Sequence, residues 1–188
     1  MNVIREYFEH IVTISDRDWE IFSGKLIRRE FPKKSIILKA GQQENYLSFI
    51  EKGIVRFYVP GEFNDMTFAF AFMNNFVSGY DSFLTRDTST YQIECITDTI
   101  LWSLTYEDLQ QIYANTDTGN KIGRLAGEEL FLKKSKRELS LLTETAEERY
   151  LNLFTERPHL LQLIPLKFIA SYIGITPQAL SRIRKRIF

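Results

Sequence analysis

The spacing of apolar residues changes twice along the chain, and each change marks a change of element type. Over residues 1–30, Val3, Ile4, Tyr7, Phe8 and Ile11 recur at helical intervals, as do Trp19, Ile21, Phe22 and Leu26 after Ser15. This period predicts two amphipathic helices, with Ser15 as N-cap of the second. Pro32 stops the pattern. From 31 to 104 the period falls toward two, and turn residues recur at Gly41, Lys52-Gly53, Pro60-Gly61, Asn74-Asn75 and Thr97-Asp98. Short runs of β-branched and aromatic residues between them predict strands over 35–38, 46–50, 54–59, 66–72, 91–95 and 99–103, which together make a small barrel or jelly roll. The alternation of strand and long helix that builds a parallel nucleotide-binding sheet does not occur.

After Thr105, a cap for a helix over 106–113, the helical period returns. A long helix is predicted over 118–142, with Ile122, Leu125, Ala126, Glu129, Leu130 and Leu132 near one another and basic residues at 133, 134, 136 and 137. Such a helix extends about 36 Å, too far for one small barrel to cover. Its apolar stripe has two candidate partners, the barrel of the same chain or a second copy, and its length favours the second copy and a homodimer. Thr143 is expected to start another helix over 145–155, and Arg157-Pro-His breaks it before Ile164-Pro165.

The last stretch reads as two helices joined by a tight turn. Phe168, Ile169, Tyr172 and Ile173 form an apolar face, Ala170 permits close approach, and Gly174 ends the helix. Thr176 and Pro177 supply an N-cap and a proline at the first helical position. Leu180 and Ile183 would face inward, leaving Gln178, Ser181, Arg182 and Lys185 outward, chemistry suited to base edges and phosphates. The expected organisation is 1–116 as sensor, 117–142 as dimerisation helix and 143–188 as a helix-turn-helix domain, an α+β chain overall.

Charge strengthens the last assignment. The chain is formally neutral, 24 basic against 24 acidic residues, which alone argues against nucleic acid. Residues 1–120 hold 11 basic and 17 acidic side chains, whereas 121–188 hold 13 and 7. No acidic residue follows Glu156, so Arg157, Lys167, Arg182, Arg184, Lys185 and Arg186 form a positive end suited to a phosphate backbone. The single cysteine, Cys95, is expected in a strand interior and points to the cytosol. No secretory leader and no run near the roughly 20 apolar residues of a membrane span is present, so no membrane partner is expected. Paired histidines, a phosphate-binding glycine loop and a nucleophile elbow are all missing, which argues against an enzyme.

Tyr46-Leu-Ser-Phe-Ile-Glu-Lys-Gly53-Ile-Val-Arg-Phe-Tyr58, a strand–glycine–strand unit, and Ile169-Ala-Ser-Tyr-Ile-Gly-Ile-Thr176 followed by Leu180-Ser-Arg-Ile183 occur in this order around a jelly roll and a long helix. Together they resemble the Crp/Fnr family of transcription regulators, and the aromatic-rich middle with Phe83-Leu-Thr-Arg86 resembles its Bacteroidetes branch. The resemblance implies a double-stranded β-helix barrel, a dimer, a palindromic duplex DNA operator and RNA polymerase as a further partner. Family members that bind cyclic nucleotide carry Gly-Glu for the ribose and a later Arg-Ser or Arg-Thr for the phosphate. Here Ser78 and Gly79 stand at the first place, and Ser89 and Thr90 at the second. Both charged ligands are missing, and an unpaired buried phosphate is costly, so cyclic AMP is not an expected ligand. Ser78, Gly79, Tyr80, Arg86, Ser89 and Thr90 remain candidates to line a pocket for an unidentified effector. One cysteine is too few for an iron–sulfur cluster, and His10 and His159 are misplaced for haem, so no cofactor is expected.

The family's DNA-reading positions correspond to Pro177, Gln178 and Arg182, with Thr176, Ser181, Lys185 and Arg186 beside them. Only Arg184-Lys-Arg-Ile-Phe188 follows, which is too short for a complete wing. The alternative, from a different class, is an effector-binding or scaffold protein whose terminal helices only pack. Salt-sensitive, sequence-dependent binding to duplex DNA separates the two.

Overall fold

Two short helices open the chain, α1 (Asn2–Glu9) and α2 (Asp16–Ser23), in a computed structural model that describes residues 2–187. Ile4 and Phe8 of α1 are buried, and the Ser15 hydroxyl accepts from Asp18 N at 3.1 Å as the N-cap of α2. The helical reading to residue 30 extends too far. Helix α2 stops before Gly24, and Ile27–Phe31 is strand β1, paired antiparallel with β8 (Thr99–Thr105) from Ile27↔Ser103 to Phe31↔Thr99. Pairing with a distant strand overrides the local helical spacing of Leu26.

Between β1 and β8 lie β2 (Ile36–Leu38), β3 (Tyr46–Lys52), β4 (Val55–Val59), β5 (Met66–Ala71), β6 (Phe76–Val77), the short helix α3 (Tyr80–Thr85) and β7 (Gln92–Cys95). They form two four-stranded sheets, ordered β1-β8-β3-β6 and β2-β7-β4-β5. This is an open, antiparallel jelly-roll-like arrangement. Strand β6 and helix α3 fall where the sequence shows only turn residues and a polar-aromatic loop, and each is too short to display a period. At the β3–β4 turn Gly53 has φ +112°, and a Cβ there would lie 2.5 Å from Thr99 Oγ1 and 2.8 Å from Asp98 O. Glycine is required there on both counts.

One cluster of the core joins α1 and α2 to the barrel through Phe8, Phe22, Phe49 and Phe83 and to Leu109 and Ile112 of α4 (Tyr106–Asn115). A second lies among Leu38, Ile50, Val55, Val77, Ile93, Cys95 and Leu101, with Cys95 fully buried in its strand. Thr105 and Asp108 form a reciprocal capping box at the start of α4.

The remaining helices are α5 (Gly119–Thr143), α6 (Ala146–Glu156), α7 (Pro158–Leu163), α8 (Leu166–Tyr172) and α9 (Pro177–Ile187). The buried Asp18 carboxylate starts α5, accepting from Asp117 N, Thr118 N and Thr118 Oγ1 at 2.8–3.1 Å. Thr145 and Glu148 form a second capping box for α6. Arg157-Pro-His does end α6 but starts α7, because proline is well suited to a first helical position.

Two compact units result. One comprises the chain up to Phe57 together with Phe70–Glu129; the other comprises Tyr58–Ala69 and the chain from Leu130 onward. Within the second, the Ser171 hydroxyl donates to Asp65 O at 2.7 Å and accepts from Thr67 N at 2.8 Å, joining the β4–β5 hairpin to α8. Among the described residues no helix is long and apolar enough to cross a membrane.

Helix α5 lacks a single apolar stripe. Ile122 packs against the first core cluster, and Gly123 lies so close to Tyr113 that a Cβ would meet its hydroxyl at 2.4 Å. Leu125, Ala126 and Leu130 are half-buried and Glu129 is exposed. Further on, Phe131, Leu132 and Leu142 are 69, 67 and 76% exposed. Apolar side chains thus surround the helix, in contrast to the one-sided stripe expected from the sequence.

Candidate nucleic-acid interface and barrel cassette

The sequence around Gly174 folds as a helix, a tight turn and a second helix. Gly174 takes φ +83°, a conformation that favours glycine, and ends α8. The Thr176 hydroxyl then accepts from Ala179 N at 3.2 Å and Leu180 N bonds to Thr176 O, so α9 begins at Pro177. Leu180 is buried and Ile183 half-buried, whereas Thr176, Gln178, Ser181, Arg182, Lys185 and Arg186 are exposed. At 100° per residue, Gln178, Ser181, Arg182 and Lys185 share one face opposite Leu180 and Ile183. Arg186 lies at the border of that face and is ion-paired with Glu147 of α6. Beside it Leu166, Pro177, Leu180, Ser181, Arg184 and Lys185 line a groove of about 420 Å³. Helix α9 carries four cations and no carboxylate.

The barrel brings the pocket candidates together around a residue the sequence did not single out. Gly79 stands before the first turn of α3, and its N–H donates to Glu44 Oε2 at 3.1 Å. The other carboxylate oxygen accepts from Tyr46 N at 3.0 Å, and Glu44 N donates to Ser82 Oγ at 2.9 Å. Glu44 is only 4% exposed. A Cβ on Gly79 would meet Leu38 at 2.4 Å, so the segment 78–90, here called the cassette, approaches Leu38 closely beside this carboxylate. Burial pushes the Glu44 pKa above the usual carboxylate range, against the N–H donors of Gly79 and Tyr46 and the charge of Arg29.

Arg86, at the end of α3 with φ +65°, donates to Glu44 O at 3.0 Å, Phe83 O at 3.2 Å and Asn45 Oδ1 at 2.9 Å, and stacks 5.0 Å from the Tyr106 ring centroid. Tyr80 stacks on Phe83 in the core. Ser89 is buried in a turn, its hydroxyl bonded to Tyr91 O and N, and Thr90 is exposed. The Ser78 hydroxyl is buried with no hydrogen-bond partner among the described residues, so it has hydrogen-bonding capacity to spare. The Tyr91 hydroxyl donates to Asp81, and burial raises its pKa, with Asp81 and Glu44 adding to the effect. A second carboxylate therefore faces this region. No group of side chains suited to a metal occurs among the described residues.

Residues 28–116 match the family described as cyclic nucleotide-binding domain. Over the longer chain, the fold resembles that of a Crp/Fnr-family protein from Eubacterium rectale, with a TM-score of 0.73, 17% identity and coverage of 93% of this chain and 83% of that one. It also resembles FixK2 from Bradyrhizobium japonicum, with a TM-score of 0.69, 18% identity and coverage of 86 and 84%. The c-di-GMP responsive global regulator CLP of Xanthomonas campestris gives 0.68, 18% identity and coverage of 92 and 91%. The chain has the Crp/Fnr regulator fold. No curated protein matches it in sequence.

The ionisable group held against the Gly79 N–H is a buried acid, Glu44. Sequence reasoning could not find Glu44, because it lies 35 residues from the N–H it accepts from and sits alone in a polar loop. A raised folded-state pKa means that the native state keeps its proton after the unfolded chain has lost it, so the Glu44 contribution to stability falls as pH rises from the ordinary carboxylate value through the raised one. Urea unfolding of wild type and Glu44→Gln across this window should show the wild type losing stability relative to the variant with rising pH. A relative gain would contradict the assignment.

Proposed function

We propose that the protein is a dimeric, sequence-specific DNA-binding regulator whose barrel does not take cyclic AMP. The observation that carries this reading is the outward face of α9, where Gln178, Ser181, Arg182 and Lys185 are exposed together on a helix free of carboxylates. In this reading residues 1–116 are a sensor-type domain, 117–142 the dimerisation helix and 143–188 the DNA-binding domain. Gln178 pairs with adenine N6 and N7, and Arg182 with guanine O6 and N7. Pro177 offers no donor, and Lys185 with Thr176 and Ser181 holds the backbone. A dimer reads a palindrome with half-sites about 34 Å apart. RNA polymerase is the downstream partner, and the candidate effector is a small molecule other than cyclic AMP or cyclic GMP.

Selection from a random duplex pool should yield such a palindrome. Arg182→Ala should flatten preference at one guanine in each half-site, a loss of roughly 1–3 kcal/mol of discrimination. Lys185→Ala should instead weaken all sequences alike and lower the salt slope by about one phosphate contact. The absence of any consensus at low salt would leave the terminal helices as packing elements.

Dimerisation is assigned to α5, where Leu125, Ala126, Glu129 and Leu130 lead into the exposed Phe131 and Leu132; Ile122 packs within its own chain and contributes at most the edge. Sedimentation should give twice the chain mass, and Leu130→Glu should yield monomer with weaker DNA binding, because one half-site binds less tightly than two linked ones. A wild type that stays monomeric at high concentration refutes this part.

Exclusion of cyclic AMP rests on Gly79 and Ser89, which stand where an acid and a guanidinium are needed. The Gly79 N–H is moreover already taken by the Glu44 carboxyl group, and no cation at these positions pairs a buried phosphate. Calorimetric titration should detect no binding; saturable heat at roughly micromolar cyclic AMP would overturn the exclusion.

A further inference from the structure

The turn between α8 and α9 needs more partners than its own backbone supplies. Gly174 closes a Schellman turn in which Ile175 N donates to Ala170 O at 3.0 Å and Gly174 N to Ser171 O at 3.1 Å. The next two carbonyls, Tyr172 O and Ile173 O, lie beyond what that turn can reach. Both accept from guanidiniums of other helices. Arg137 of α5 donates through Nη2 to Tyr172 O, with its guanidinium carbon 4.0 Å from the Tyr172 ring centroid. Arg149 of α6 donates through Nε to Ile173 O at 3.0 Å.

Arg149 does more than cap α8. Its Nη1 also donates to Glu144 O and, at 3.4 Å, to Ser140 O, carbonyls at and just past the last turn of α5. One planar guanidinium therefore bridges the C-terminal ends of α5 and α8. Arg157 adds a bond from Nη1 to Tyr172 Oη at 3.1 Å. None of the three arginines has a carboxylate ion pair among the described residues, in contrast to Arg5, Arg56 and Arg186. Arg137 and Arg149 instead meet the partial negative charge of helix C-termini, that of α8 for both and that of α5 as well for Arg149. A guanidinium suits this arrangement because its donors lie in a rigid fork; a lysine brings one point charge that cannot span both helix ends.

We propose that Arg149 and Arg137 are positioning residues for DNA reading: they fix the α8–α9 turn, and with it the direction in which α9 presents Gln178 and Arg182, and they tie that direction to the last turns of α5. The proposal rests on the DNA-binding reading of α9. Neither arginine contacts a base in it, so their effect is on selectivity through geometry and not through charge.

The test uses the full chain and three variants, Arg149→Lys, Arg149→Gln and Arg137→Gln. Amide hydrogen exchange at Gly174 and Ile175 is compared with exchange within α6, which reports global opening, and affinity is measured for the selected duplex and for a random one. Arg149→Lys keeps the charge, yet it should speed exchange at the turn by about tenfold with α6 unchanged, since hydrogen bonds are lost there. It should weaken the selected duplex by a similar factor of about ten and the random duplex by less than about twofold. Unchanged exchange and an unchanged selected-to-random ratio would overturn the proposal, as would equal weakening on both duplexes, the signature of a lost phosphate contact. If Arg149→Gln does not fold, Arg137→Gln, which removes one carbonyl bond and the ring contact, is judged by the same two ratios. A wild type that selects no duplex defeats the DNA-binding reading by itself, and with it the role in reading, while the exchange comparison still decides whether the arginines fix the turn.

Discussion

A helix leaves polar groups at each end that it cannot satisfy itself, and this chain meets that constraint repeatedly with side chains brought from elsewhere. Asp18 of α2 accepts from the residues that open α5, about a hundred positions away. Glu44 takes the N–H before α3, and Arg86 ties the end of α3 back to the loop that carries Glu44. Arg137 and Arg149 take the last carbonyls of α8. Ser15, Thr105, Thr145 and Thr176, by contrast, cap their helices locally. The distant caps fix how the elements within each unit meet, because moving either partner would leave a partly buried polar group unpaired.

The same constraint gives the barrel its electrostatic character. The N–H before a helix needs an acceptor, and here the acceptor is part of the chain. Glu44 satisfies Gly79 and Tyr46 with its two oxygens, and Asp81 adds a second acid bonded to Tyr91. Ser78, Gly79, Ser89 and Thr90 carry no charge, and the carboxyl group held at Gly79 is supplied by Glu44.

Identities of 17–18% with proteins of the same fold show how little of the surface chemistry the architecture dictates. Within this chain, Gly53 and Gly174 stand where backbone conformation leaves little choice. The acid held at Gly79 and the proline at the start of α9 are chemistry set on that frame. Function has therefore to be argued from those residues, not from the fold.

The sequence by itself determined what depends on neighbours within a few positions. The capping residues Ser15, Thr105 and Thr176, the break at Gly174, the polar face of α9 and most strands were legible because period and turn chemistry are local signals, whereas the start of α6 was placed at Thr143, which ends α5, and not at its cap Thr145. Strand β1 was misread as helix because its partner β8 lies about 70 residues away, and α3 and α7 were missed because six residues show no period. The apolar residues of α5 were read as one stripe, although the fold places Ile122 against the barrel core and leaves Phe131 and Leu132 exposed. Glu44, Arg137 and Arg149 were invisible for the same reason. Each acts on backbone groups of a distant segment, and a backbone amide or carbonyl carries no mark in the sequence of the side chain that will reach it; only the tertiary structure brings the two together.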